Sequence, residues 1–241
     1  MPNDPYKKMQ EFPIKPTVLS IRLQEIVSLI SPSPRVIDVG TDHGQVPSYL
    51  LENHLTQRIV ATDIHRDPAE TARKYLMRQG VMKYSEVIQT DGLHGIVLDK
   101  EDTVILSGLG GLEMIRILTE SLKEHQDRFP AGVNILMQPQ RSAEELRNYL
   151  QNNGFVILKE RICIDRDKIY VIILTEYQGE SLPALSLISS ILGPKILADR
   201  PEYTMQYLQH ERNVLRKHMR ARPELSEVIA YIEDVLQEAK G

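Results

Sequence analysis

The chain has a single cysteine and lacks the segments that mark secreted or membrane proteins. Cys163 has no second cysteine to pair with, which excludes an internal disulfide and suits a reducing compartment. No apolar run approaches the roughly 20 residues that a membrane-spanning helix needs. The first eight residues also lack the apolar core of a secretion signal. We therefore expect a cytoplasmic protein without a membrane partner.

Two glycine-rich phosphate-binding motifs are also missing. The pattern G-x-x-x-x-G-K-[ST] does not occur, and the first glycine turn reads Gly40-x-x-x-Gly44 instead of G-x-G-x-x-G. These absences argue against a nucleoside triphosphatase and against a pyrophosphate cofactor. Four histidines have no tight ligand spacing with cysteine or acidic residues, so we expect no metal site. They are His43, His54, His65 and His94.

The size and the charge distribution suggest one main domain with a basic tail. A chain of 241 residues, 41% of them hydrophobic, is sufficient for one large α/β domain with a small appendage. The net charge of −4 argues against a general nucleic-acid binder. However, residues 195–222 contain seven Lys or Arg against three acids, a charge of +4 that leaves −8 for the remainder. Such a tail suits a polyanion, although a solvated helix face explains it about equally well.

Short apolar runs alternate with helical patterns through the first two thirds of the chain. The runs lie at 35–39, 58–63, 85–90, 102–107 and 132–138. This alternation predicts βαβ units and a parallel sheet, preceded by an amphipathic helix within 18–30. Two further β-rich runs, 155–164 and 168–174, flank a short polar turn and predict an antiparallel hairpin. A parallel sheet that ends in such a hairpin is typical of the Rossmann-like, class I methyltransferases that use S-adenosylmethionine.

The tail has a different pattern. Pro201 opens one amphipathic pattern that continues to Met219, and a second covers Leu225 to Leu236. The break at Arg222-Pro223 predicts a helical, coiled-coil-like hairpin. We therefore expect a methyltransferase domain in residues 1–177 and a C-terminal helical domain in residues 178–241.

Three helix starts are predicted from capping boxes, which pair an N-terminal Ser, Thr or Asp with Glu or Gln three positions later. The pairs are Asp42 with Gln45, Asp67 with Glu70, and Ser142 with Glu145. Because Asp67 with Glu70 is predicted to cap the helix after the second strand, Asp63 is not needed as its cap. For Asp42, capping and contact with a ligand are compatible.

Polar or glycine-rich residues follow all five predicted parallel strands. Ligands of open α/β sheets lie at the carboxyl ends of the strands, so this agreement predicts a ligand site there. Asp63 ends the second strand, where an acid accepts the two ribose hydroxyls of a nucleoside. Asp91 is placed to accept from an adenine amino group, although Asp-Gly is also an ordinary turn pair. Gly108 begins a glycine-rich turn, and Gln138 begins a turn with two amide side chains.

Four of these motifs, in this order, resemble the TrmK family of bacterial tRNA methyltransferases, which modify N1 of adenine 22. They are Val-Gly-Thr-Asp-His (39–43), Leu-Ser-Gly-Leu-Gly-Gly (106–111), Gln-Pro-Gln (138–140) and Lys-Ile-Tyr (168–170). The similarity spans residues 18–177, and Gly193-Pro-Lys-Ile-Leu197 resembles the start of the family's C-terminal coiled-coil domain.

The resemblance implies S-adenosylmethionine as cofactor, tRNA as substrate, and a role for each matching residue. The residues that match the family's cofactor-binding positions are Asp38, Gly40, Asp63, Ile64, Asp91, Gly92 and Gly108. Asp42 and His43 match the catalytic pair beside the target base, and Gln138, Pro139 and Tyr170 frame the substrate pocket. In the basic tail, phosphate contacts with the tRNA are expected from Arg212, Arg216, Lys217 and Arg220.

The chain departs from the family pattern at three places. Gly44-Gln45-Val46-Pro47 follows the Asp-His pair where a small residue, an aromatic or apolar pair and Pro are common. Gln140 replaces a frequent Asn, and Asp63 replaces a frequent Glu with the charge kept. Two other functions therefore stay open, a methyltransferase for a small molecule and a non-catalytic protein that binds S-adenosylmethionine with the same fold.

Overall fold

The structure, a computed structural model, describes residues 15–125 and 129–239. Its centre is a seven-stranded sheet with the order β3-β2-β1-β4-β5-β7-β6. The strands are β1 (Ser33–Val39), β2 (Thr56–Asp63), β3 (Ser85–Gln89), β4 (Asp102–Ser107), β5 (Asn134–Gln138), β6 (Phe155–Asp165) and β7 (Lys168–Tyr177). Strands β1 to β5 are parallel, and β7 pairs antiparallel with both β5 and β6. The predicted sheet and closing hairpin are therefore confirmed.

Helices cover both faces of the sheet. They are α1 (Ile21–Ser28), α2 (Gln45–Glu52), α3 (Arg66–Arg78), α4 (Gly111–His125), α5 (Ala143–Asn152), α6 (Leu187–Leu192), α7 (Pro194–Asp199), α8 (Thr204–His218) and α9 (Leu225–Glu238). The central strands are apolar on both faces because each face is buried by helices. Val36 of β1 packs into the cluster that α1, α2 and α3 share, and its neighbour Ile37 packs into the cluster of α4 and α5.

The tail folds onto the body of the protein. Hydrophobic residues of α6 to α9, such as Ile196, Tyr207 and Ile232, belong to the same core cluster as Ile37 and Ile135 of the sheet. The predicted hairpin is formed by α8 and α9, while the short helices α6 and α7 were not predicted. The predicted boundary between two domains at residue 177 stays a prediction. In the structure, side chains from both sides of this residue share one hydrophobic core.

The three predicted capping boxes are wrong. Helix α2 follows Gly44 (φ 70°), and α5 follows Ser142 (φ 59°), both in left-handed backbone conformation. A side-chain cap requires extended backbone at this position, and neither helix has a capping side-chain hydrogen bond. Helix α3 starts two residues earlier than predicted, so Asp67 lies inside its first turn and His65 occupies the capping position.

Within residues 15–125 and 129–239, no helix has both the length and the apolar character that crossing a bilayer demands.

Candidate active site

A cleft of about 520 Å³ opens at the carboxyl ends of β1, β2 and β4. These strands run side by side in the same direction, so their C-terminal turns meet at one edge of the sheet. The cleft brings together all nine residues to which the sequence assigned cofactor binding or catalysis. They are Asp38, Gly40, Asp42, His43, Asp63, Ile64, Asp91, Gly92 and Gly108.

Two buried carboxylates, Asp38 and Asp63, form the floor of the cleft. Burial raises the pKa of the Asp38 carboxyl to about 6, and the negative charge of Asp63 acts in the same direction. The buried Thr41 hydroxyl, which also lines the cleft, has no hydrogen-bond partner in the described part of the chain. The cleft therefore carries negative charge and a polar group that a ligand can satisfy.

Asp63 is partly engaged by backbone. One oxygen accepts a hydrogen bond from the His65 N–H at 2.9 Å, and the other lies 3.4 Å from the Asp42 nitrogen. A carboxylate has about four acceptor sites, so Asp63 keeps capacity for two ligand hydroxyls. The His65 contact also shows that Asp63 helps to order the turn that leads into α3.

The first strand reaches the cleft through a turn that only glycine adopts easily. Gly40 has φ 74°, and a Cβ built on it would have its nearest neighbour, the Leu109 side chain, at 3.7 Å. A Cβ here would make only an ordinary van der Waals contact, so the protein's own packing does not demand glycine. Glycine is needed here for the positive φ, and it also lets a ligand approach the main chain closely.

Asp42 and His43 form an exposed pair at the mouth of the cleft. His43 Nε2 lies 3.4 Å from Asp42 Oδ2, and the two side chains are 64% and 68% exposed. Asp42 has a left-handed backbone (φ 50°) and accepts no helix-capping bond. Its carboxylate is thus available to a ligand in the cleft.

Asp91 is less free than the sequence suggested. Its Oδ1 accepts from Arg116 Nη2 at 2.6 Å, and Arg116 also binds Glu113 and Glu120. One oxygen of Asp91 is therefore already used. Sequence reasoning missed Arg116, because a charged residue on the exposed side of α4 carries no signal of this contact.

Arg22 is a second residue that sequence reasoning missed. It lines the cleft, and its Nη1 donates to Gln138 Oε1 at 2.7 Å and to Ser107 Oγ at 3.0 Å. Its guanidinium carbon also lies 5.7 Å from the centre of the Tyr170 ring. A charged residue between the apolar positions of an amphipathic helix is ordinary, so the sequence gave no reason to select it.

The predicted substrate residues lie behind Arg22. The Gln138 side chain is fully buried and donates from Nε2 to the Pro139 carbonyl at 3.1 Å. Gln138, Pro139 and Tyr170 do not belong to the lining of the cleft, whereas Gln140 does. Gln138 and Tyr170 instead contact Arg22, which itself lines the cleft.

The tail cations lie outside this cleft. Arg216 pairs with Glu233 of α9, and Arg212 is half-buried. Lys217 and Arg220 are exposed, with no ion pair to any residue that the structure describes. Among the same residues there is also no group of three or more His, Cys, Asp or Glu side chains that is able to bind a metal ion.

Comparisons with known proteins identify relatives of this fold and site. A family model described as a methyltransferase domain matches residues 19–173. The tRNA (adenine(22)-N(1))-methyltransferase of Bacillus subtilis is 26% identical over 203 residues, which are 81% of this chain and 84% of that protein. A Streptococcus pneumoniae protein in complex with S-adenosyl-L-methionine is 26% identical, with a TM-score of 0.78 over 91% of this chain and all of that chain. TrmK of M. capricolum, solved with S-adenosyl-homocysteine, is 25% identical, with a TM-score of 0.74 over 91% of this chain and 98% of its own.

Proposed function

Given that this chain belongs to the methyltransferase domain family, and within it to the TrmK family, we propose that it transfers a methyl group from S-adenosylmethionine to N1 of adenine 22 in tRNA. One observation carries this proposal. The residues that match the family's cofactor and catalytic positions, which are scattered from 38 to 108 in the chain, line one cleft at the carboxyl edge of the sheet.

The cleft suits S-adenosylmethionine in charge and in shape. When bound, this cofactor supplies an electrophilic methyl group on a positively charged sulfur. Asp38 and the unpartnered Thr41 hydroxyl provide a negative and polar floor, which favours a ligand with positive groups. Asp63 is placed to accept the ribose hydroxyls, and Gly40 leaves room beside the backbone. Asp91 keeps one oxygen for an adenine amino group.

Asp42 is the residue we assign to the chemical step. Adenine N1 carries a lone pair in the neutral base, so no strong base is needed and positioning supplies most of the acceleration. Methylation gives the adenine a positive charge, which a nearby carboxylate stabilises as it develops. Asp42 lies at the mouth of the cleft with its carboxylate exposed, and His43 is its neighbour at 3.4 Å. Transfer of a proton from the exocyclic amine to Asp42 is a second role for the same group.

Arg22 adds a cation to the substrate side of the cleft. Ser107 and Gln138 fix its Nη1, which leaves the other guanidinium donors for the substrate. Because N1 lies on the Watson–Crick edge, the target base must be unpaired or extruded, which costs a few kcal/mol. Contacts of Arg22 with the displaced nucleotide offset part of this cost.

The remaining partner contacts follow from charge. Lys217 and Arg220 are exposed tail cations without an ion pair to any described residue, and contacts of the tail with tRNA phosphates would add affinity without selecting a sequence. A tRNA substrate implies that the protein acts in the cytoplasm.

The proposal is tested by methyl transfer from labelled S-adenosylmethionine to unmodified tRNA, followed by mapping of the methylated position. We expect label at N1 of adenine 22 and at no other adenine. A matched control is Glu101→Gln, which removes an exposed carboxylate just before β4, at the opposite edge of the sheet, and should keep full activity. Cofactor binding without transfer to tRNA would favour a small-molecule methyltransferase or a non-catalytic binding protein instead.

A further inference from the structure

Helix α5 is physically continuous with the wall of the active-site cleft. It follows β5 through the turn 139–142, and this turn is hydrogen-bonded to the glycine-rich turn after β4. The Gln140 N–H donates to the Leu109 carbonyl at 2.8 Å, and the Gly111 N–H donates to the Arg141 carbonyl at 2.9 Å. Since Leu109 and Gln140 both line the cleft, the start of α5 is fixed relative to the site.

The same helix carries a buried ion pair that reaches the tail. Arg147 of α5 and Glu160 of β6 are both fully buried, with Nε and Oε1 2.7 Å apart. Arg147 Nη1 also donates to the carbonyls of Ser190 (3.1 Å) and Ile191 (2.7 Å) in α6. Glu160 Oε2 accepts from the backbone N–H of Lys195 in α7 at 2.9 Å. Both charges are therefore bonded directly to the main chain of the tail.

Gly193 makes this arrangement possible. It has φ 96°, and a Cβ built there would lie 2.6 Å from Glu160 Oε2 and 2.8 Å from Arg147 Nη2. No other residue fits without displacing the ion pair. Pro194 then begins α7, where its missing N–H is not needed. The Gly193-Pro194 motif is thus the point where the tail closes over the buried charges.

A second ion pair connects α5 to the far end of the tail. Glu144 accepts two hydrogen bonds from Arg222, one to each of its oxygens and both at 2.8 Å. Arg222 lies between α8 and α9, so α5 holds the tail at its beginning and at the tip of its hairpin. This paired geometry fixes direction as well as distance.

We propose that Arg147 and Glu160, together with Glu144 and Arg222, are positioning residues that set the orientation of the tail relative to the cleft, so that tail cations meet tRNA phosphates while the target adenine enters the cleft. The inference rests on the proposed function. Apolar packing has no directional preference, whereas hydrogen bonds between charged groups fix both distance and direction, in the buried Arg147–Glu160 pair and in the partly exposed Glu144–Arg222 pair.

Glu160→Gln and Glu144→Gln test this role because both leave every tail cation in place. We expect the KM for tRNA to rise about tenfold in Glu160→Gln and about threefold in Glu144→Gln. The turnover number and the Kd for S-adenosylmethionine should stay within about twofold of wild type. If a phosphate contact is lost, the slope of log KM against log salt concentration should also become shallower by about 0.9 per contact. Glu70→Gln, which breaks the ion pair with Arg73 on α3, is the control without effect.

A rescue experiment distinguishes a changed orientation of the tail from a general loss of folding stability. Arg222 also pairs with Glu224, so the exchange is made in a Glu224→Gln background. There, the exchanged pair Glu144→Arg with Arg222→Glu should return the KM for tRNA and the salt slope to near the values of Glu224→Gln alone. Folded Glu160→Gln and Glu144→Gln variants with a wild-type KM and salt slope would overturn the proposal. So would an exchanged pair that behaves like Glu144→Gln.

A distance measurement tests the orientation without any enzyme activity. Spin labels at Lys74→Cys on α3 and Asp234→Cys on α9 report the distance between a point on the body and a point on the tail. Cys163 is buried and its pKa is raised to about 11 by burial, so it should escape labelling. We expect a narrow distance distribution that broadens in Glu160→Gln, and an unchanged width would overturn the role of the pair. If the wild type transfers no methyl group to tRNA, the proposed function fails while this measurement still reports on the junction.

Discussion

The two halves of the cleft use their polar residues differently. On the side proposed for the cofactor, Asp38 and Asp63 come directly from the ends of β1 and β2 and present their own carboxylates to the cleft. On the side proposed for the substrate, Gln138 at the end of β5 is fully buried and orients Arg22, which belongs to α1. A strand end therefore contributes to the site either directly or by holding a side chain from elsewhere.

Asp42→Asn should produce the largest loss. The substitution keeps the shape of the side chain but removes the charge that we assign to the developing positive adenine. We expect the turnover number to fall about 100-fold or more, which is the range for one electrostatic or acid–base group. Steady-state kinetics with tRNA, with the Kd of S-adenosylmethionine measured by calorimetry, should show that binding is retained. Full turnover in this variant would remove Asp42 from the mechanism.

Asp63→Asn should weaken cofactor binding and spare the chemical step. Loss of charged hydrogen bonds to a ribose costs about 2 kcal/mol, which corresponds to a Kd about 30-fold higher. The turnover number at saturating cofactor should change little. A calorimetric Kd equal to that of the wild type would show that the acid at the end of β2 does not bind the sugar.

Arg22→Gln should weaken tRNA binding and leave cofactor binding nearly unchanged, the reverse of Asp63→Asn. Because Arg22 lies on the substrate side, we expect the KM for tRNA to rise about tenfold, as for loss of one charge-assisted contact. The Kd for S-adenosylmethionine should stay within about twofold. If cofactor binding instead weakens as much as in Asp63→Asn, the division of the cleft into two halves is wrong.

Acidic pH should weaken cofactor binding modestly. Burial raises the pKa of Asp38 to about 6, so the carboxyl is mostly ionised at pH 7 and becomes protonated as the pH falls through that value. A positively charged ligand binds the ionised form better, so affinity should fall about twofold between pH 7 and pH 6 and more steeply below. Calorimetry from pH 7 to below pH 6 should show that the Kd of Asp38→Asn for S-adenosylmethionine does not change with pH. A flat wild-type profile would mean that Asp38 does not contact a positive group.

The difference between the halves also explains what the sequence was able to predict. Asp63 was found because a short apolar run fixes both the strand and its carboxyl end, and parallel strands bring those ends together; a cofactor role for Asp38 was expected only from the family resemblance. Arg22 and Arg116 were missed because their roles depend on where whole helices pack, which no local pattern encodes. The links from Arg147 to α6 and from Glu160 to α7 were missed for the same reason, since their partners lie up to 44 residues away in the chain.

The capping boxes failed for a local reason. The residue pairs had the right spacing, but Gly44 and Ser142 take left-handed backbone conformations just before their helices. The turn after β1 has to bend around the cleft, and the turn after β5 is bonded to the one after β4. The demands of the site therefore override the usual chemistry of a helix start at these two positions.

Calorimetric titration of the wild-type protein with S-adenosylmethionine tests the central claim most directly. We predict one binding site per chain, with an affinity that drops about 30-fold in Asp63→Asn and hardly changes in Arg22→Gln. Absence of any binding heat across several temperatures, for both S-adenosylmethionine and S-adenosylhomocysteine, would contradict a nucleoside cofactor site at the strand ends.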